Sequence, residues 1–178
     1  MDSRITDLKK KYSSLMDEFE DLIERMKEFL SIDIYDLEND CAEHPELYFE
    51  VAIFASRTGS LQNRSEMIVK ELKAEIATTI RTNPEKYGIT KLTESQVFEA
   101  VDSAEYAKEG RELRGLCMFL KNSADSLVQA FEHRRSMLNN EVQLYLSKLG
   151  SAEASGKRSS IQQGIEEKTK ARRLGKHE

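Results

Sequence analysis

The chain has 178 residues, a third of them charged, with a formal net charge of −5, only two prolines and no tryptophan. That length allows one domain with extensions or two small domains, and the charge-rich, proline-poor composition favours long helices over a sheet protein. Cys41 and Cys117 have no CxxC spacing and read as free thiols of a reducing cytosol. The longest apolar run, Val51 to Ala55, is far too short for a membrane span, and the first residues lack the apolar core of a signal peptide. A cytoplasmic protein is expected, with no membrane contact.

Charge is unevenly spread. Residues 1–45 carry 6 basic and 13 acidic groups, whereas residues 150–178 carry 7 basic and 4 acidic ones. An acidic head and a basic tail suggest a polar assembly or a tail that seeks polyanions; solubility is the plainer reading.

Ile5, Leu8, Tyr12, Leu15, Phe19, Leu22, Met26 and Phe29 recur at alternating spacings of three and four. This heptad stripe predicts an N-terminal coiled-coil helix over residues 1–31, which needs a partner surface. Asp33 is expected to cap a short helix, and Pro45 to push His44 out of helical geometry and open the next helix. That helix is expected to run to Thr82 on a seam through Val51, Phe54, Thr58, Leu61, Ser65, Ile68 and Leu72. Asn83 and Pro84 stop it, and Gly88 allows the turn.

Thr93 and Gln96 form a capping box ahead of Val97, Phe98 and Val101, so a short helix follows. Asp102 with Glu105 is read as the cap of the last helix, Ser103 to Lys148, whose seam passes through Leu113, Cys117, Leu120, Ala124, Leu127, Phe131, Arg134 and Leu138. Gly150 is expected to end it, leaving residues 150–178 as a flexible basic tail. The fold class is therefore all-α: a long antiparallel helical hairpin with a short helical tip over residues 32–149, preceded by the coiled-coil helix.

A hairpin alone has little interior, so Met67, Val69, Met118, Phe119, Val128 and Met137, which lie off the main seam, call for a second surface. Homo-oligomerisation is expected, with an interface at Leu61, Ile68, Leu127, Phe131 and Arg134. Arg134 on the seam either snorkels outward or pairs across that interface.

No catalytic constellation is present: His44, His133 and His177 are scattered, and there is no HExxH, phosphate-binding loop or GxSxG. His133 reads as a surface group. A non-enzyme without cofactor or metal is expected. The basic residues carry the functional signal. Lys70, Lys73 and Arg81 lie toward the end of one long helix, Lys86 and Lys91 in the connection, and Lys108, Arg111 and Arg114 at the start of the next. An antiparallel hairpin brings them to one end, with Tyr87 or Tyr106 available to stack on bases, so they form a candidate DNA-binding set. The plainer reading is a solvated face whose cations pair locally with glutamates such as Glu66, Glu71 and Glu75.

Ile32, Asp33, Leu37, Ala42, Leu47, Tyr48 and Ser56 resemble the opening of the UvsY-type phage recombination mediators. Lys70, Lys73 and Arg81 match the basic end of that family's long helix. Leu116, Ser123, Ala124, Leu127 and Arg134 match its C-terminal helix. The resemblance covers about residues 31–149. It implies a mediator that binds single-stranded DNA as a ring-like homo-oligomer and helps a RecA-like recombinase displace single-strand binding protein. Residues 1–30 and the tail have no counterpart, and Glu71 and Glu75 dilute the basic motif. The competing reading is a coiled-coil scaffold or adaptor in a phage assembly or replication complex, motivated by the heptad stripe of residues 5–29.

Overall fold

The computed structural model describes the backbone of residues 2–89 and 91–174, and the side chains of those residues as far as Gly150, Leu149 excepted. The described chain is all-α. Helix α1 spans Ser3–Phe29, α2 Leu37–Thr82, α3 Glu94–Ser103 and α4 Glu105–Leu174, with a 3-10 turn at Pro84–Tyr87.

The hairpin forms as the pattern predicts. Glu66 meets Arg114, Tyr48 meets Glu132, and Asp40 meets Arg134, so α2 and α4 run antiparallel in register. Gly110 lets them approach: a Cβ there would stand 3.3 Å from Cγ2 of Val69. Thr58 and Ser65 are fully buried on the seam, and their hydroxyls donate to the carbonyls of Ala55 and Gln62 in their own helix. Their small, internally satisfied side chains fit a close helix contact.

Helix α1 supplies the surface that a hairpin lacks. It lies antiparallel to α2, with Arg4 beside Glu75, Glu18 beside Arg57 and Arg25 beside Glu50. Phe19, Leu22 and Met26 pack with Val51, Phe54, Leu120, Ala124 and Phe131. Ile5 and Leu8 pack with Leu61, Ile68, Leu72, Leu113 and Cys117. Each such large apolar side chain contributes about 1.5–3 kcal/mol on burial. The result is a three-helix bundle whose core lies within one chain. Asp2 caps α1 by accepting from the Arg4 amide at 2.8 Å. Its hydrogen bond to the Arg4 side chain holds its carboxyl down at about 2.

Several expectations are corrected. No separate short helix is capped by Asp33: α2 begins at Leu37 and passes through Pro45. The proline removes only the amide that would reach Cys41, and burial of His44 and Val51 on either side outweighs that loss. His44 is thus a helical, buried residue, not a boundary residue. Asp102 does not cap α4; it accepts from Lys73 at 2.9 Å and faces Arg111 at 2.7 Å. Helix α4 does not stop at Gly150 but continues to Leu174; the Ala, Glu, Gln, Lys and Arg residues beyond are helix formers that oppose the cost of roughly 1 kcal/mol at each of Gly150, Gly156 and Gly164. The basic side chains from Lys157 onward lie outside the described residues.

The interface expected at Leu61, Ile68, Leu127, Phe131 and Arg134 is also corrected. Leu61, Ile68, Phe131 and Arg134 are buried within the chain, and Leu127 packs partly buried against the same core. The partner of the four apolar residues is α1 and that of Arg134 is Asp40 of α2, so the expected seam is occupied without a second copy. Val69 and Val128 likewise turn inward, whereas Met67, Met118, Phe119 and Met137 remain exposed.

The tip has its own small core. Asn83 and Pro84 end α2, and Gly88 takes the left-handed conformation at φ 70°. Ile80 then packs with Ile89, Val97 and Val101, with Ile76 and Ala77 alongside. Thr93 caps α3 by accepting from the Gln96 amide, as the capping box predicts.

Candidate nucleic-acid interface at the hairpin tip

The hairpin brings the end of α2, the connection and the start of α4 to one end of the bundle, as the basic pattern requires. The eight candidate cations are not equivalent there. Lys73 and Arg111 converge on one carboxylate, Asp102, and Arg111 also donates to the Asp102 carbonyl at 2.7 Å. The Lys73 ammonium, with Arg111, holds the Asp102 carboxyl below its ordinary range. Arg81 grips Glu94 at 2.7 Å, lowering the Glu94 pKa and raising its own. Arg114 meets Glu66 at 2.9 Å across the hairpin. These four cations are already occupied by carboxylates of the fold.

Lys70, Lys86, Lys91 and Lys108 are exposed and have no carboxylate partner among the described residues. Their charge is open to an external anion. The set divides into four paired cations and four available ones, a split that spacing alone does not reveal. Asp102, Glu94 and Glu66, brought alongside by the fold of the same chain, decide it.

Tyr87 and Tyr106, far apart in sequence, line one open cleft of about 330 Å³ with Leu72, Ile76 and Thr79. Asp2 and Glu75 also line it. Arg4 bridges both carboxylates at 2.8 and 2.7 Å, and its hydrogen bond to Glu75 lowers that carboxyl. Arg4 had no place in the sequence-based set, although its single positive charge offsets one of the two carboxylates of the cleft. The two tyrosines are 41% and 47% exposed, enough ring face to stack on a base.

At the other end, Arg134 is 2% exposed and pairs with Asp40 at 2.5 Å. It also donates to the Asp40 carbonyl and to Nδ1 of His44, both at 3.3 Å. A guanidinium has no acceptor, so His44 Nδ1 must accept and neutral His44 carries its proton on Nε2. Burial, then Arg134 and Arg135, push the His44 pKa below its ordinary value. Arg134 therefore neither snorkels outward nor crosses to another copy. Cys117 is buried, and burial raises its thiol to about 11, so it is an inert core group. Among the described residues no three His, Cys, Asp or Glu side chains are grouped to hold a metal ion, and no helix is long and apolar enough to cross a membrane.

Comparison with protein-family models, curated proteins and solved structures yields no match.

Proposed function

We propose that the protein is a recombination mediator: a non-enzymatic helical bundle that binds single-stranded DNA as a homo-oligomer and helps load a RecA-like recombinase in place of single-strand binding protein. One observation carries the DNA-binding part. Tyr87 and Tyr106 share an open cleft at the same end of the bundle as Lys70, Lys86, Lys91 and Lys108, none of which has a carboxylate partner among the described residues. Stacking on tyrosine and counterion release by lysine are the two terms that sequence-tolerant single-strand binding uses. The recombinase and the displaced binding protein enter from the resemblance over residues 31–149. Repetition of the tip in an oligomer raises a weak site's affinity through effective concentration.

The test is fluorescence anisotropy of a labelled single-stranded oligonucleotide at about 50 and 200 mM salt, with a duplex control. Binding should favour the single strand and weaken steeply with salt. Reversing Lys70, Lys86 or Lys108 to Glu should cost affinity and lower the salt slope by about one for each phosphate left without its lysine. Arg114→Glu removes a cation already paired with Glu66 and should cost less affinity than the lysine reversals. No binding at the lower salt would reject the proposal. The scaffold or adaptor reading, favoured by the pairing of half the cations and by the exposed Phe119 and Met137, would then stand.

A further inference from the structure

Within a chain that is one-third charged, one exposed face of α4 carries no formal charge from Gly115 to Leu144. Its central stripe repeats at alternating three and four. Leu116 and Phe119 stand at one end, Met137 and Leu144 at the other, with small Ser123, Ser126 and Ala130 between and His133 and Asn140 completing the register. The row beside it is Gly115, Asn122, Gln129, Ser136 and Gln143, again without charge. The six charged residues of this stretch, Lys121, Asp125, Glu132, Arg134, Arg135 and Glu141, all fall on other rows.

This stripe is not the bundle core. Leu116, Phe119, Met137 and Leu144 are 46–60% exposed. The Ser126 and Ser136 hydroxyls donate back to the carbonyls of Asn122 and Glu132, at 2.9 and 3.2 Å, so the face is less polar than its composition suggests. The outer face of α2 also shows apolar groups, Phe49, Ile53 and Met67, but Arg57, Arg64 and Lys70 interrupt its surroundings. Loss of charge together with retained aromatic and Met side chains is the composition of an interface core.

We infer that this face of α4 is an isologous seam that pairs antiparallel with the same face of a second copy. The occupant follows from the stripe itself. Phe119 and Met137 flank a middle of small groups symmetrically, which makes the stripe self-complementary under a two-fold axis. An antiparallel crossing between Ser126 and Ala130 sets Phe119 against Met137 of the second copy, twice, a favourable aromatic–thioether contact. Ser123 then meets His133, and Leu116 meets Asn140, each pair joining complementary heptad positions. A strongly basic or acidic partner, whether nucleic acid or the chain's own tail, would find no complementary charge here. In this register residues 115–141 overlap, about 40 Å of helix, and a contact strip about 10 Å wide covers on the order of 800 Å² in total, the size of a small interface with weak, concentration-dependent self-association. The inference deepens the oligomeric part of the proposed function and rests on that part alone.

The test is sedimentation velocity of the full chain over a micromolar concentration series, with far-ultraviolet circular dichroism as the control for folding. The wild type should sediment as a dimer or an even-numbered assembly. Phe119→Glu and Met137→Lys should each weaken self-association at least about hundredfold, because each buries an unpaired charge twice. Ser126→Arg at the crossing point should do the same. The double variant Phe119→Glu/Met137→Lys sets opposite charges together only in the antiparallel register, so it should recover association to within about tenfold of wild type. A monomeric wild type, or single variants that associate normally, would overturn the seam. A double variant as weak as the singles would overturn the antiparallel pairing. Oligonucleotide anisotropy on the same samples separates the two ideas: absence of DNA binding with intact association counts against the mediator reading, and the converse against the seam.

Discussion

Arg134 meets Asp40 at 2.5 Å with its side chain 1% exposed, whereas Arg81 meets Glu94 at 2.7 Å with the two side chains 46% and 80% exposed. The geometries are similar and the surroundings opposite. At the Arg134 end the pair lies under the bundle's core, beside a buried histidine. At the tip it lies in water, where either partner alone stays solvated. Ion-pair distance therefore says little about what a pair does; the solvent left around it decides. The buried pair is bound up with folding. The exposed pairs set which cations are free for a ligand.

The largest effect expected from this contrast is at Asp40. Asp40→Ala leaves the Arg134 guanidinium buried with only a carbonyl and an imidazole nitrogen, and its Nε already has no partner. Loss of one member of a buried pair costs about 3–5 kcal/mol. Arg134→Met should cost clearly less, since Asp40 is 16% exposed and can take up water while the methionine fills the space. Urea denaturation of the two variants checks the order. Equal, small losses would show that the buried end behaves like the tip.

The second contrast is in pH. The folded state lowers the His44 pKa below 6.5, chiefly by burial, so the unfolded chain binds the proton more readily. Its contribution is complete above the unfolded value and is lost as pH falls from about 6.5 through the lower folded value. Glu75, Glu94 and Asp102 at the tip are also lowered, from ordinary values of 4.5, 4.5 and 3.8, so they act in the same direction but only in stronger acid. Stability measured by urea between pH 7 and 5 should therefore fall in the wild type. In His44→Gln, which keeps an acceptor for Arg134 but cannot titrate, it should stay nearly flat. Parallel profiles would mean that another group carries the dependence.

The two ends also differ in how much of them the sequence disclosed. The hairpin was legible because Pro84, Gly88 and the Thr93–Gln96 box are local signals that act on the backbone within a few residues. The convergence of the basic residues followed from topology alone. Their division into paired and free cations did not follow, because Asp102 and Glu94 lie 29 and 13 residues from Lys73 and Arg81. Arg134 and the seam residues around it were misread for a related reason. A heptad stripe states that a face is covered without stating by what; α1 covers its apolar part, and Asp40 and His44 of α2 take Arg134. The Pro45 rule failed where burial on both sides of the proline outweighed a local preference.

The smallest expected effect lies at Glu94 and sharpens the comparison most directly. Glu94→Gln removes the exposed partner of Arg81 while Thr93, the cap, and Val97, the nearest core residue, remain. An exposed pair of this kind contributes little to folding, so the urea midpoint should not shift measurably. Releasing Arg81 adds a fifth available cation to the tip. Single-strand affinity should therefore rise a few-fold at about 50 mM salt and converge on wild type near 200 mM, as expected for one added counterion release. Arg81→Gln should leave both stability and affinity near wild type, since that cation is already occupied. If Arg81→Gln instead weakens DNA binding as strongly as Lys70→Glu, the exposed pairs open readily for the ligand. The tip's cations would then form one set, and pairing within the folded chain would not be what selects the DNA contacts.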